Sequence, residues 1–290
     1  MKKFLGAILA FACLPFAARS ETWNHMPVYD HIVVVVMENH SYNEIIGNAQ
    51  APYVNLLAQG GALLTNYSGI THPSQPNYFA LYAGSTFGAD NSVYTLPGPT
   101  LGSILAANGR SFVGYVESGS PRRHNPWESF PEGMTLERDM TTFPVDFTQL
   151  PSLSFVIPNL LHDMHDGTIA QGDAWLLDKL GAYATWAKTN NSLLVVVWDE
   201  DDSTQNNVVP LILYGANIRP GAQAANHYDL LRSLLQSFRL AAPKNAANAA
   251  GIQSSVFTSW AVAGAGDLNL DGKSDLFWRG DAGDVVTWAM

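Results

Sequence analysis

Residues 31–37 are apolar at nearly every position and include four successive valines, Val33 to Val36. A short β-branched run without polar alternation predicts a strand buried on both faces, as in a parallel sheet. Residues 153–157, 193–198 and 209–214 repeat the pattern. Between these runs the apolar period changes. Residues 52–59 read as a helix closed by Gly60-Gly61, and residues 227–238 as another. In residues 170–189, Trp175, Leu176, Leu180, Tyr183 and Trp186 fall on one helical face. Strands alternating with helices predict a doubly wound α/β domain with its site beyond the C-terminal strand ends. Residues 88–146 are rich in Pro, Gly and Ser, and predict loops and short elements framing that site. Residues 241–263 are mostly Ala, Asn, Ser and Gly and read as a linker.

The first twenty residues have the pattern of an address. Lys2 and Lys3 precede an apolar stretch from Phe4 to Ala18, and Ala18-Arg19-Ser20 offers small residues for a signal peptidase. Export to the periplasm or beyond the cell is the expectation, with an uncleaved anchor or lipidation at Cys13 as alternatives. Residues 21–240 are then the catalytic domain. Cys13 is the single cysteine, so cleavage after Ser20 leaves no thiol chemistry and no disulfide. No later run is long and apolar enough for a membrane helix. The net charge is -10, and loss of the leader makes it about three units more negative. That balance argues against nucleic acid as a partner and against charge-driven adhesion to anionic lipid. An anionic substrate would need a local device, either a metal or a helix N-terminus.

Candidate chemistry clusters where strands end. Glu38 and Asn39 follow the valine run and can supply oxygen ligands to a hard cation. Ser74, in Thr71-His72-Pro73-Ser74-Gln75-Pro76-Asn77-Tyr78, is expected at or near a helix N-cap, with its hydroxyl at the positive helix end. A neutral serine is a weak nucleophile and needs a base or a metal. Asp199-Glu200-Asp201-Asp202 follows another strand, and a cation would relieve the repulsion among these acids. His162-Asp163-Met164-His165-Asp166 follows a third, in a pattern that suits a metal or an imidazole oriented by a carboxylate. His124 and His227 stand in polar contexts. Each motif alone also fits an ordinary cap, a solvated acidic loop or a surface histidine.

Together these segments resemble the bacterial phosphoesterase family of secreted acid phosphatases and phospholipases C, related in fold to the alkaline phosphatase superfamily. The segments are Val-Met-Glu-Asn at 36–39, Thr-His-Pro-Ser-x-Pro-Asn-Tyr at 71–78 and His124 with Asn-Pro-Trp at 125–127. Asp-Met-His-Asp-Gly at 163–167, Gln-Gly-Asp-Ala-Trp-Leu at 171–176, Trp-Asp-Glu-Asp-Asp at 198–202 and His-Tyr at 227–228 complete them. The resemblance implies a three-layer α/β/α domain around a mostly parallel sheet. It implies Ser74 as the nucleophile of a phosphoserine intermediate, and Glu38, Asn39, Ser74, Asp199 and Glu200 as ligands of one metal cation. It casts His165 with Asp163, His227 and His124 as phosphate contacts or proton carriers, and gives His162 no role. The activity implied is metal-dependent hydrolysis of phosphate monoesters, whether of a small molecule or a lipid such as a phosphoinositide. A phospholipase C-like phosphodiesterase is the alternative.

Near the C-terminus, Asp267, Asn269, Asp271 and Asp275 take positions one, three, five and nine of a calcium loop, with Gly272 at the turn. Residues 264–290 resemble one FG-GAP/VCBS-type β repeat binding Ca2+. A lone repeat of this kind cannot bury its own core, so the expectation is either a longer natural protein or a repeat that packs on the catalytic domain. It also opens a reading of another class, a calcium-dependent binding or adhesion protein.

Overall fold

The computed structural model describes residues 26–221 and 223–258, and the backbone of strands at 260–266, 275–280 and 285–288. The leader at 1–20, with Cys13, and the calcium-loop residues Asp267, Asn269 and Asp271 lie outside the described residues, as does the Asp275 side chain.

The valine run forms β1 (His31–Met37), and six of its seven residues are fully buried. Next come α1 (Tyr42–Ile45), α2 (Pro52–Gly60), β2 (Ala62–Ser68) and α3 (Ser74–Ala83). The segment expected to be loops and short elements holds α4 (Leu101–Ala107), β3 (Phe112–Val116), β4 (Glu137–Asp139) and several single turns of 3-10 helix. β5 (Leu153–Ile157), α5 (Ile169–Ala187), β6 (Ser192–Trp198), β7 (Val208–Gly215), β8 (Ala224–Asn226) and α6 (His227–Ser237) complete the domain.

These strands make one sheet in the order β4-β3-β5-β1-β6-β7-β2-β8. All neighbours pair in parallel except β6 with β7 and β7 with β2, so β7 alone runs against the rest. The centre, β5-β1-β6, is apolar throughout because both faces are covered. On one side α2 and α5 pack together over β6 and β7; α3, α4 and α6 form a second group. α3 is a helix without a solvent face, all ten residues buried. Its Tyr82 meets Phe112, Trp127, Phe130 and Phe155 beside it, edge-on or tilted, with centroids in this group 5.5–6.3 Å apart, which favours their ring quadrupoles.

In the stretch read as a linker, Ala246, Ile252, Val256 and Phe257 are buried in the core of the same domain. Beyond it, β9 (Trp260–Gly266), β10 (Asp275–Gly280) and β11 (Val285–Trp288) form a separate antiparallel sheet. Among the described residues, no helix is long and apolar enough to cross a membrane.

Candidate active site

β5, β1 and β6 lie side by side and end on the same edge, so the residues following them converge. Glu38 and Asn39 leave β1, Asp163 and His165 lie on the turn after β5, and Asp199 and Glu200 leave β6. Asn39 adopts a left-handed backbone with φ of +46°, a conformation that asparagine tolerates better than most residues. β2 contributes through Gly69, where a Cβ would sit 2.7 Å from the Asp199 carbonyl oxygen. Only a glycine permits that approach.

Ser74 is the first residue of α3, with Pro73 as the cap, and is not itself the cap. Its hydroxyl lies within 3.0 Å of Glu38 Oε2 and 2.9 Å of Glu200 Oε1, placed to donate to either. The expected anion seat at this helix start is partly filled: the Gln75 N–H donates to Asn91 Oδ1 at 3.0 Å, and Pro76 has no N–H.

Tyr78, one helical turn on, shares the Ser74 face and donates its hydroxyl to Glu38 Oε1 at 2.5 Å. Its ring stacks on His124 at 5.0 Å and 7°. His124 Nε2 is 3.3 Å from Glu38 Oε1 and Nδ1 is 3.5 Å from Asp163 Oδ2. Neither contact has hydrogen-bond geometry, so both ring nitrogens are buried without a partner. Asn39 Oδ1, Asp163 Oδ2 and both Asp199 carboxylate oxygens are in the same condition.

Burial raises Glu38 and Asp199 well above the usual carboxylate range, and neighbouring acids add to it. Glu200 is also raised by burial, against the opposing hydrogen bond from Ser74. Asp163 is pushed up to about 7, again chiefly by burial. His124 is driven down by burial and then by the nearby charges of Arg123 and His165. Such a set is unfavourable as free ions, and a cation reverses the balance. One oxygen each from Glu38, Asp199 and Glu200 lie within 4.8 Å of one another, and Glu38, His124 and Asp163 form a second such group. Unpartnered buried oxygens in an all-oxygen donor set fit a hard cation. Glu38, Asn39, Ser74, Asp199 and Glu200, the expected ligands, are thus gathered in one place.

The expected catalytic histidines divide. His124 is inside the cluster. His165 stands at its margin, 6.5 Å from His124 between ring centroids, and its Nδ1 pairs with Asp166 Oδ1 at 2.6 Å. Asp163 accepts the His165 backbone N–H instead, so the carboxylate orienting that imidazole is Asp166. His227 lies behind the site. Its Nε2 donates to the Asp199 carbonyl at 2.5 Å, and its Nδ1 accepts from the Tyr67 hydroxyl at 2.6 Å. Burial holds this imidazole down at about 4, hence neutral. Both nitrogens are thus occupied, one by the Asp199 backbone and one by Tyr67.

His72, Asn77 and Tyr78 lie in the quoted segment 71–78 but were given no role there, and Tyr67 was not singled out. The i, i+4 spacing of Ser74 and Tyr78 was a usable signal. Asn77 folds the loop before Ser74, taking the N–H groups of Ile70 and Thr71 on Oδ1 at 2.9 and 3.1 Å. His162 faces Glu117 and stacks on Trp175, outside the cluster.

A model of the phosphoesterase family matches residues 48–241. Over 244 residues the chain is 46% identical to a phosphatidylinositol-3-phosphatase of Mycobacterium tuberculosis, covering 77% of this chain and 82% of that protein. It is 28% identical over 226 residues to an acid phosphatase of Aspergillus fumigatus, covering 65% of this chain and only 49% of the fungal protein. A solved protein of the alkaline phosphatase superfamily from Vibrio parahaemolyticus superposes with a TM-score of 0.58 at 14% identity, covering 91% of this chain and 80% of that one. At that identity the likeness establishes the fold alone.

Proposed function

The chain belongs to the phosphoesterase family and is a phosphoric ester hydrolase, and from that premise we propose an exported acid phosphatase that cleaves phosphate monoesters through a phosphoserine on Ser74. One observation carries this reading: a buried serine hydroxyl shared between Glu38 and Glu200, in a cluster where Asn39 Oδ1, Asp163 Oδ2 and both Asp199 carboxylate oxygens have no partner. The 46% identical relative acts on a phosphoinositide by its name, so phosphoinositides are the first natural substrates to try.

Glu38, Asn39, Ser74, Asp199 and Glu200 would hold one hard cation, which when bound supplies positive charge against the developing charge on phosphoryl oxygens. Ser74 Oγ attacks phosphorus as its proton passes to Glu200 Oε1 or Glu38 Oε2. The bond from phosphorus to the alcohol oxygen breaks, and His165 Nε2 gives that oxygen a proton. Water then attacks the phosphoserine and returns a proton to His165, and Ser74 Oγ leaves with the proton held on the carboxylate. His124 and Asp163 stand beside Glu38 in the cluster, and Asp166 orients His165. His227, with Tyr67, acts at one remove by fixing Asp199. The proposed acid phosphatase is expected to turn over fastest on the acidic side. A flat or alkaline profile would count against this assignment.

The test is hydrolysis of para-nitrophenyl phosphate and its bis ester by residues 21–290, beside Ser74→Ala and a chelator-treated sample. Monoester turnover lost in both controls supports the reading. Activity surviving in Ser74→Ala removes Ser74 as nucleophile, and preference for the bis ester moves the assignment to a phosphodiesterase. Export is checked by the N-terminal sequence of the protein recovered outside the cytoplasm, with cleavage after Ser20 expected. The proposed Ca2+ loop at Asp267, Asn269, Asp271 and Asp275 is checked by terbium luminescence, which Asp271→Ala should abolish.

A further inference from the structure

His72 takes no part in the reaction above, yet it grips the acid behind Ser74. Its Nδ1 lies 2.7 Å from Glu200 Oε2. The other oxygen of that carboxylate, Oε1, accepts from Ser74 Oγ at 2.9 Å. Glu200 therefore meets the imidazole at one oxygen and the nucleophile at the other. Asn77 Nδ2 adds only a longer contact to Oε2, at 3.4 Å.

The imidazole is itself braced. Nε2 lies 3.3 Å from Asp201 Oδ1. Asp201 cannot swing away, because its oxygens accept the N–H groups of Ser203, Gln205 and Asn207 at 2.7–3.0 Å. A chain of contacts thus runs from the loop 203–207 through Asp201, His72 and Glu200 to Ser74. The His72 side chain is 39% exposed, and it walls an open polar cavity of about 510 Å3 with Thr71, Asp201 and Asn207. A histidine on an exposed acid would contribute little. Here both acids are buried, and Asp201 is already fixed by the backbone of its own loop.

We propose that His72 is a positioning residue: it holds the Glu200 carboxylate in the rotation that keeps Oε1 on Ser74 Oγ, and so sets the alignment of the nucleophile and the cation affinity of the acid cluster. The inference rests on the reading of Ser74 as nucleophile and Glu200 as ligand. Partners that orient a ligating group commonly matter to binding and turnover alike.

The test compares wild type, His72→Ala and His72→Asn by calorimetric titration with Mn2+ and by steady-state hydrolysis of para-nitrophenyl phosphate, with melting temperatures to confirm folding. The asparagine amide can occupy the place of Nδ1 toward Glu200 but does not reach Asp201. His72→Ala should lower cation affinity and kcat by about 10- to 100-fold each, with KM within about twofold of wild type. His72→Asn should recover most of both losses. Unchanged affinity and kcat in His72→Ala would overturn the proposal, as would absence of Mn2+ binding by the wild type. A rise in KM alone, not recovered by asparagine, would make His72 a substrate contact of the cavity instead. If the wild type turns over no ester, the proposed function fails on its own, and the Mn2+ titration of the same three proteins still decides the role of His72.

Discussion

Asp199 and Asp201 stand two residues apart in one acidic run, and both are buried. Neither carboxylate oxygen of Asp199 has a hydrogen-bond partner. Both oxygens of Asp201 are taken by backbone N–H groups of the loop that follows. The contrast extends across the molecule. Asp173, under the start of α2, accepts from Tyr53 and Val54 N–H, and Asp229 in α6 accepts from Gly251 and Asn226 N–H. At the strand ends, Asn39, His124, Asp163 and Asp199 keep buried polar atoms without partners. A buried acid whose lone pairs are filled by the chain builds the fold, and one whose lone pairs are left open awaits something from outside. Composition cannot separate the two kinds, but partners do.

The sharpest challenge to that division is Ser74→Ala. Loss of the nucleophile should reduce kcat by on the order of 10^4 or more, with the melting temperature little changed. Retention of a tenth of the activity would place the chemistry elsewhere. Next is a matched pair. Asp199→Asn should reduce kcat by about 10^2- to 10^3-fold and yet raise the melting temperature of the cation-free protein, since it removes a buried carboxyl that is costly to ionise beside other acids. Asp173→Ala should do the reverse, costing about 1–3 kcal/mol of stability with kcat retained. If both variants behaved alike in calorimetry and kinetics, the contrast would carry no functional meaning.

A smaller effect concerns pH. In the cation-free protein Asp163 is raised to about 7 from an ordinary value of 3.8. The folded state therefore holds a proton that the unfolded state has released between those values, and stability falls as pH rises through them. Below about 4 both states are protonated and the contribution is fully present. A bound cation favours the ionised acids, so its gain in melting temperature should grow from pH 4 to pH 7. A gain independent of pH would separate the cation from the cluster.

The smallest expected effect belongs to Arg123, half-buried and without a hydrogen bond or ion pair among the described residues, although its charge is felt by His124 and Asp163. If it too awaits a ligand, Arg123→Ala should raise KM for a phosphate monoester about tenfold, with kcat and melting temperature held.

Much of this was legible in the chain. β1, β5, β6 and β7 were written as apolar runs, because strands covered on both faces have no polar side to show. The order of acids after those runs, with the resemblance carried by 71–78, located the cluster. β2 was not legible. Its sequence, Ala-Leu-Leu-Thr-Asn-Tyr-Ser, has a register irregularity between Leu64 and Tyr67, which blurs any period of two. α3 was legible only at its start, since a helix buried on every side has no apolar stripe to recognise.

Residue type and spacing along the chain determined which groups could meet: oxygen donors at three strand ends and a hydroxyl at a helix start. They could not determine the pairings, which depend on contacts across more than a hundred residues, such as Tyr67 with His227 and Ser74 with Glu200. His227, by resemblance a phosphate contact or proton carrier, has its two nitrogens on the Tyr67 hydroxyl and the Asp199 carbonyl. The task proposed for His72 depends on Asp201 being fixed nearby. A buried donor or acceptor must find a partner or bear a desolvation cost, and which partner is within reach is a property of the packed molecule alone.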